Sequence, residues 1–182
     1  MAEKKVAKKA AAKSPVAKKA VVKKAPAESK FKAGDLIQDF TLQDQDGNSV
    51  TLSDFSGKPV VLFFYPRADT PGCVIEACGF RDSFKKLQKA GVIILGISRD
   101  TGKDQKKFQQ KYDLPYTLLA DPTMETCKYF DVIQPKNMYG KWVTGVRRTT
   151  FLIGPDRHLL HVFPDVMPEG HAEEVLAFLK QK

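Results

Sequence analysis

The sequence predicts a three-layer α/β domain with a central mixed β-sheet flanked by helices. Three observations carry that class. Two apolar runs, Val60 to Tyr65 and Val92 to Ile97, read as strands buried on both faces. Stretches with helical spacing of apolar residues lie between and after them. A strand–turn–strand pattern and a closing amphipathic stretch complete the order, so helices cover a sheet that is parallel in part and antiparallel in part.

The elements follow in chain order. Phe40 to Gln43 and Ser49 to Leu52 flank Asp46-Gly47-Asn48 and read as a hairpin. After the first buried strand, Pro66 to Gly72 is a loop, and a helix runs from Cys73 to about Lys89 with Ala77, Phe84 and Leu87 on one broad face. Gly91 stops it, and the second buried strand follows. Asp104 to Tyr112 is a helix with Phe108 and Tyr112 four apart, Thr117 to Ala120 a short strand, and Pro122 opens a helix toward Phe130. Tyr139 and Trp142 fall in a polar, Gly-containing stretch read as a loop over one end of the sheet. Thr150 to Ile153 and Leu159 to Phe163 form a hairpin around Gly154-Pro155-Asp156, and Glu169 to Lys180 is the closing helix.

Charge divides the 182 residues into two parts. Residues 1–30 hold ten Lys and two acids, a net of +8, whereas residues 31–182 hold 20 basic and 19 acidic groups. The first part is almost entirely Lys, Ala and Val, resembles the tails of linker histones in composition, and buries too little to offset the entropy of ordering. It is expected to be a disordered basic tail on a near-neutral domain. Its spaced Lys pairs suit a polyphosphate backbone; six to ten of them on duplex DNA would give a log–log salt slope of roughly −5 to −9. With no Arg and no aromatic residue in it, the tail has nothing to read bases. A solubilising extension or a nuclear address fits the same composition.

No apolar run approaches the ~20 residues that cross a bilayer. The first thirty residues lack the apolar stretch of a secretory signal and the Arg of a mitochondrial leader. Three Cys are an odd count without secretory context, so a disulfide scaffold is not expected. A soluble cytoplasmic protein is expected, nucleoid-associated or nuclear if the tail directs it.

The chemistry gathers at Pro66-Arg67-Ala68-Asp69-Thr70-Pro71-Gly72-Cys73. It sets a thiol at a helix start just beyond the carboxyl end of a central strand, the edge where ligands bind open α/β sheets. Free N–H groups and the helix dipole there favour a thiolate, which marks Cys73 as reactive. Thr70 can supply a hydroxyl, and Pro66 and Pro71 stiffen the loop. Cys78 lies five residues on, which on a regular helix separates the Cα atoms by about 8–9 Å. That exceeds the ~7 Å limit for a disulfide, so a bond would require unwinding, which Gly79 makes easier. Spacing alone leaves Cys78 open between a redox partner and ordinary core. Cys127 reads as a buried inert thiol. His158, His161 and His171 form no ligand cluster, His171 reads as the start of a surface helix, and no metal site is expected.

P-x-x-x-T-x-x-C (Pro66, Thr70, Cys73), then E-A-C-G-F-R-D from Glu76, resembles the peroxiredoxin family, specifically its bacterioferritin-comigratory-protein or peroxiredoxin Q group. G-D-x-I-x-D-F-T-L from Gly34, D-P-T from Asp121 and R-x-x-F-L-I from Arg148 agree in order and spacing, so the resemblance covers about Lys32 to Lys180. It implies a thioredoxin-like fold and reduction of hydrogen peroxide or organic hydroperoxides. By the resemblance Cys73 is the peroxidatic and Cys78 the resolving cysteine, Pro66 and Thr70 shape the peroxide pocket, and Arg148 stabilises thiolate and peroxide. The adjacent Arg147 is the alternative, with the register to Phe151 favouring Arg148. Val74-Ile75 depart from the small polar residues common there. An intramolecular disulfide, recycled by thioredoxin or a similar dithiol, needs neither a cofactor nor a dimer, so a monomer is expected. A nucleic-acid-associated protein working through its tail, or a peroxide sensor relaying oxidation to a partner, are the alternatives.

Overall fold

The computed structural model describes residues 29–138 and 141–181. The basic tail therefore lies outside the described residues apart from Ser29 and Lys30, and Tyr139 lies outside them too. The strands are β1 (Thr41–Asp44), β2 (Ser49–Thr51), β3 (Val60–Phe64), β4 (Ile93–Ser98), β5 (Thr117–Ala120), β6 (Ile133–Met138), β7 (Lys141–Val146), β8 (Thr149–Ile153) and β9 (Leu159–Phe163). The helices are α1 (Pro71–Lys89), α2 (Gly102–Lys111), α3 (Glu125–Tyr129) and α4 (His171–Lys180). Seven strands form one sheet in the order β2-β1-β5-β4-β3-β8-β9, in which β3, β4 and β5 run parallel and the other pairings are antiparallel.

Side-chain alternation explains why β3 is apolar throughout. Val61, Phe63 and Tyr65 face one core with α1, α2 and α4, while Val60, Leu62 and Phe64 face the other with Phe151, Cys127 and Phe130. In β4, a β-carbon on Gly96 would stand 2.6 Å from the Phe63 ring and 2.8 Å from Leu118, so glycine admits the close approach of these side chains.

Four expectations are revised. Leu52 begins a 3-10 turn, Leu52–Phe55, instead of extending β2. The helix after Pro122 starts only at Glu125, because the buried Asp121 carboxylate accepts from the amides of Glu125 (3.1 Å) and Cys127 (2.8 Å) and fixes a turn first. The stretch containing Trp142 is an antiparallel ribbon of β6 and β7 with Asn137 opposite Trp142, not a loop. His171 is buried at 2 % exposure; its Nε2 is 2.8 Å from Thr150 Oγ1, so α4 begins inside the core. Cys127 is buried as read, and burial, with Asp121 nearby, pushes its thiol pKa well up.

Candidate active site

The site is assembled where β3 ends. Tyr65 follows the strand, the loop 66–70 turns the chain, and Thr70 is the residue before α1, with Pro71 at the first helical turn. The first helical hydrogen bond is Val74 N–H to Thr70 O at 2.9 Å, so Gly72 and Cys73 carry amides that no preceding turn can accept. Cys73 thus sits at the positive end of a 19-residue helix. It is 1 % exposed and packs in the core that holds Tyr65, Ala77 and Phe80.

Arg148, just before β8, reaches this thiol. Its Nη2 lies 3.3 Å from Cys73 Sγ, and its Nη1 donates to Glu76 Oε2. Arg148, not Arg147, therefore faces the sulfur; Arg147 donates its amide to Val132 O and its side chain approaches Asp165 at 3.9 Å. Burial works against the Arg148 charge, but Glu76 and the Cys73 sulfur outweigh it and hold its pKa above the ordinary arginine value.

Glu76 is the functional side chain that sequence reading passed over. Its signal is spacing: three residues after Cys73 on a helix is the same face. Its side chain is wholly buried, and Oε1 has no hydrogen-bond partner. Burial pushes its pKa up to about 7, with the charge and hydrogen bond of Arg148 pulling the other way.

The other predicted residues are placed less directly. Thr70 Oγ1 donates to Arg67 O at 3.1 Å, and Pro66 is half-buried at the loop start. Cys78 is half-buried on intact α1, and all three cysteines are free thiols. The loop is pinned from behind: Ala68 N–H donates to Asp100 Oδ2 at 2.7 Å, and Asp69 accepts from Lys111 and Tyr112. Asp100 in turn accepts from Ser98 Oγ at 2.7 Å, and Ser98 from the buried Gln105 at 2.9 Å. A recess of about 390 Å³ between Phe40 and Tyr129 is lined by other residues and does not include Cys73.

Gly72 leaves room for the arginine. A β-carbon there would stand 3.2 Å from Arg148 Nη2 and 3.5 Å from Pro168 Cγ. Gly72→Ala is expected to gain helix stability of up to ~1 kcal/mol while displacing the guanidinium. A more stable but several-fold slower protein, by thermal unfolding and single-turnover peroxide kinetics, is the expected pair of results.

A buried thiol faced by a guanidinium at a helix start is the arrangement of a thiol-based redox enzyme. Comparison with known proteins narrows the class. The AhpC/TSA family pattern matches residues 33–162. The chain is 45% identical over 150 residues to peroxiredoxin Bcp of Escherichia coli, covering 82% of this chain and 96% of that one. Xylella fastidiosa PrxQ superposes with a TM-score of 0.80 at 35% identity, over 85% of this chain and 98% of that one. The bacterioferritin comigratory protein of Xanthomonas campestris, whose structures address alkyl peroxide reduction, gives 0.74 at 39% identity over 78% and 90%. The chain belongs to the AhpC/TSA family, as a thioredoxin-like peroxiredoxin of the Bcp/peroxiredoxin Q kind. It is a thiol peroxidase, acting on a hydroperoxide with the help of a reductant.

Proposed function

We propose that Cys73 is the peroxidatic thiol, that Cys78 resolves it, and that Arg148, Thr70 and Pro66 form the peroxide site. The observation that carries this reading is Arg148 Nη2 at 3.3 Å from the Cys73 sulfur at the start of α1. The thiolate attacks one peroxide oxygen in line with the O–O bond. The S–O bond forms, the O–O bond breaks, and the leaving oxygen departs as water or an alcohol with the proton the thiol gave up. Arg148 and the free amides of the first turn meet the charge on that oxygen, and the Thr70 oxygen can accept the proton-bearing end of the peroxide. Cys78 then attacks the sulfenic acid; the S–S bond forms and water leaves. Because α1 holds the two Cα atoms about 8–9 Å apart, its first turns must open for this step.

A dithiol suits the last step, since its second thiol releases the mixed disulfide formed by the first. Thioredoxin is the proposed reductant. Mixing the oxidised chain with reduced thioredoxin or with glutathione checks this: fast recovery of both thiols is expected only with thioredoxin. Equal, slow recovery with either would remove it from the scheme.

For residues 1–30 we propose a tether to nucleic acid, so that the peroxidase acts in the cytoplasm close to DNA. The concentration of charge supports it, ten Lys against two acids. So does the root of the tail: Phe31 packs on Tyr129, Phe130 and Phe151, on the sheet face opposite the core containing Cys73. Salt-dependent retention on duplex DNA should vanish on deleting residues 1–28, with peroxidase turnover kept. Equal retention without them would end the proposal.

A further inference from the structure

The residues that must open for Cys78 to meet Cys73 are held by a contact from outside the helix. Tyr116, directly before β5, donates its hydroxyl to the backbone oxygen of Ala77 at 2.8 Å. The ring is 6 % exposed and stands edge-on to Phe63 at 5.9 Å, with Phe84 at 6.4 Å on another side. The hydroxyl is therefore aimed by packing, and it grips the residue immediately before Cys78.

Beyond that point α1 is fixed by other means. Phe80 is fully buried, stacks on Phe63 at 4.9 Å and meets the His171 ring edge-on at 5.6 Å. Arg81 Nη1 donates to Tyr112 O at 3.0 Å. Between the two anchored parts lies Gly79, whose added β-carbon would find only Ala172, at 3.8 Å. The helix thus has a downstream half locked by aromatic packing and an upstream half, residues 71–78, in which the core packing of Cys73 and Ala77 is joined by two polar holds, Arg148 through Glu76 and Tyr116 through Ala77.

We propose that the Tyr116 hydroxyl is a latch on the resolving step: it keeps the Cys78 turn wound, and its release sets how fast the Cys73 sulfenic acid becomes a disulfide. The inference rests on the Cys73–Cys78 scheme above and deepens it. Tyr116 is a positioning residue; it touches neither substrate nor sulfur in the reaction. In that step Cys78 gives its proton to the departing hydroxyl of the sulfenic acid, so one S–S bond replaces one S–O bond and water leaves.

The latch makes an uncommon demand of its own removal. Tyr116→Phe keeps the ring and its packing and deletes only the bond to Ala77 O, a bond made in the wound state alone. The opened state should therefore become more populated by about three- to tenfold, the range of one net hydrogen bond. Rapid-quench mass analysis of the full chain should show sulfenic acid forming at a comparable rate in both proteins and the disulfide forming about three- to tenfold faster in Tyr116→Phe. Amide exchange in residues 73–79 should accelerate by the same factor, with residues 84–89 unchanged. A purely structural loss would not speed one step and spare the other. An unchanged or slower disulfide step, or equal exchange in both proteins, overturns the latch. Amide exchange reads the latch even without a disulfide, so a wild-type chain that forms sulfenic acid but no Cys73–Cys78 bond would overturn the scheme separately.

Discussion

Arg148→Lys is expected to slow the reaction of Cys73 with hydrogen peroxide by about 10²- to 10³-fold, the scale of losing a fixed donor at a developing oxyanion. The guanidinium bridges two partners in one plane, Glu76 through Nη1 and Cys73 through Nη2. An ammonium on a flexible stem cannot hold both, so conserving the charge does not conserve the geometry. The fold should survive, because Lys still offers Glu76 a cation. Arg148→Met is the harsher variant: it removes the cation beside the wholly buried Glu76, whose carboxyl then takes up a proton, and the lost charge-assisted hydrogen bond is expected to cost ~1–3 kcal/mol. Single-turnover kinetics on Arg148→Lys separate the two effects. A rate within about threefold of wild type would mean that the arginine contributes little to oxyanion stabilisation.

The second large effect concerns pH. Burial raises the Glu76 pKa to about 7, against its ordinary value of 4.5. The folded state therefore binds this proton more tightly than the unfolded chain does. Its stabilising contribution is complete below about 4.5 and is lost as pH rises through about 7. Glu76→Gln removes the titration while its amide oxygen can still accept from Arg148. Denaturant unfolding from pH 5 to 8 should show wild type losing on the order of 2–3 kcal/mol relative to the variant. Kinetics should follow the same group. Ionised Glu76 neutralises the arginine facing Cys73, so the wild-type peroxide step should carry an inflection near pH 7 that Glu76→Gln lacks. Parallel pH profiles for stability and rate would show that Glu76 does not titrate in this range.

Much of this site could be read in the chain because its parts follow local rules. The two apolar runs became β3 and β4, central strands packed on both faces, and the loop that follows β3 delivered Cys73 to the first turn of α1. Arg148 is 75 residues from Cys73, and family spacing, not local pattern, pointed to it. What escaped were features fixed by tertiary contact. Glu76 stood in the sequence only as the first letter of a motif, and its burial beside Arg148 comes from the core closing around it. His171 begins a helix whose sequence looks amphipathic, yet Thr150 and Phe80 receive its ring inside the core. The β6–β7 ribbon lies outside the main sheet, so its Pro, Gly and Lys residues gave no buried-strand pattern. Asp121 ended the Pro122 helix reading because a side chain, invisible to propensity, took the amides of the first turn.

The measurement that tests the account most directly is intact-mass analysis with peptide mapping after one equivalent of hydrogen peroxide, on wild type and Cys78→Ser. Wild type should lose two hydrogens, mapped to a bond between Cys73 and Cys78, and Cys78→Ser should gain one oxygen on Cys73. A Cys73 that remains a thiol while peroxide persists, or oxidation that maps to Cys127, would contradict it.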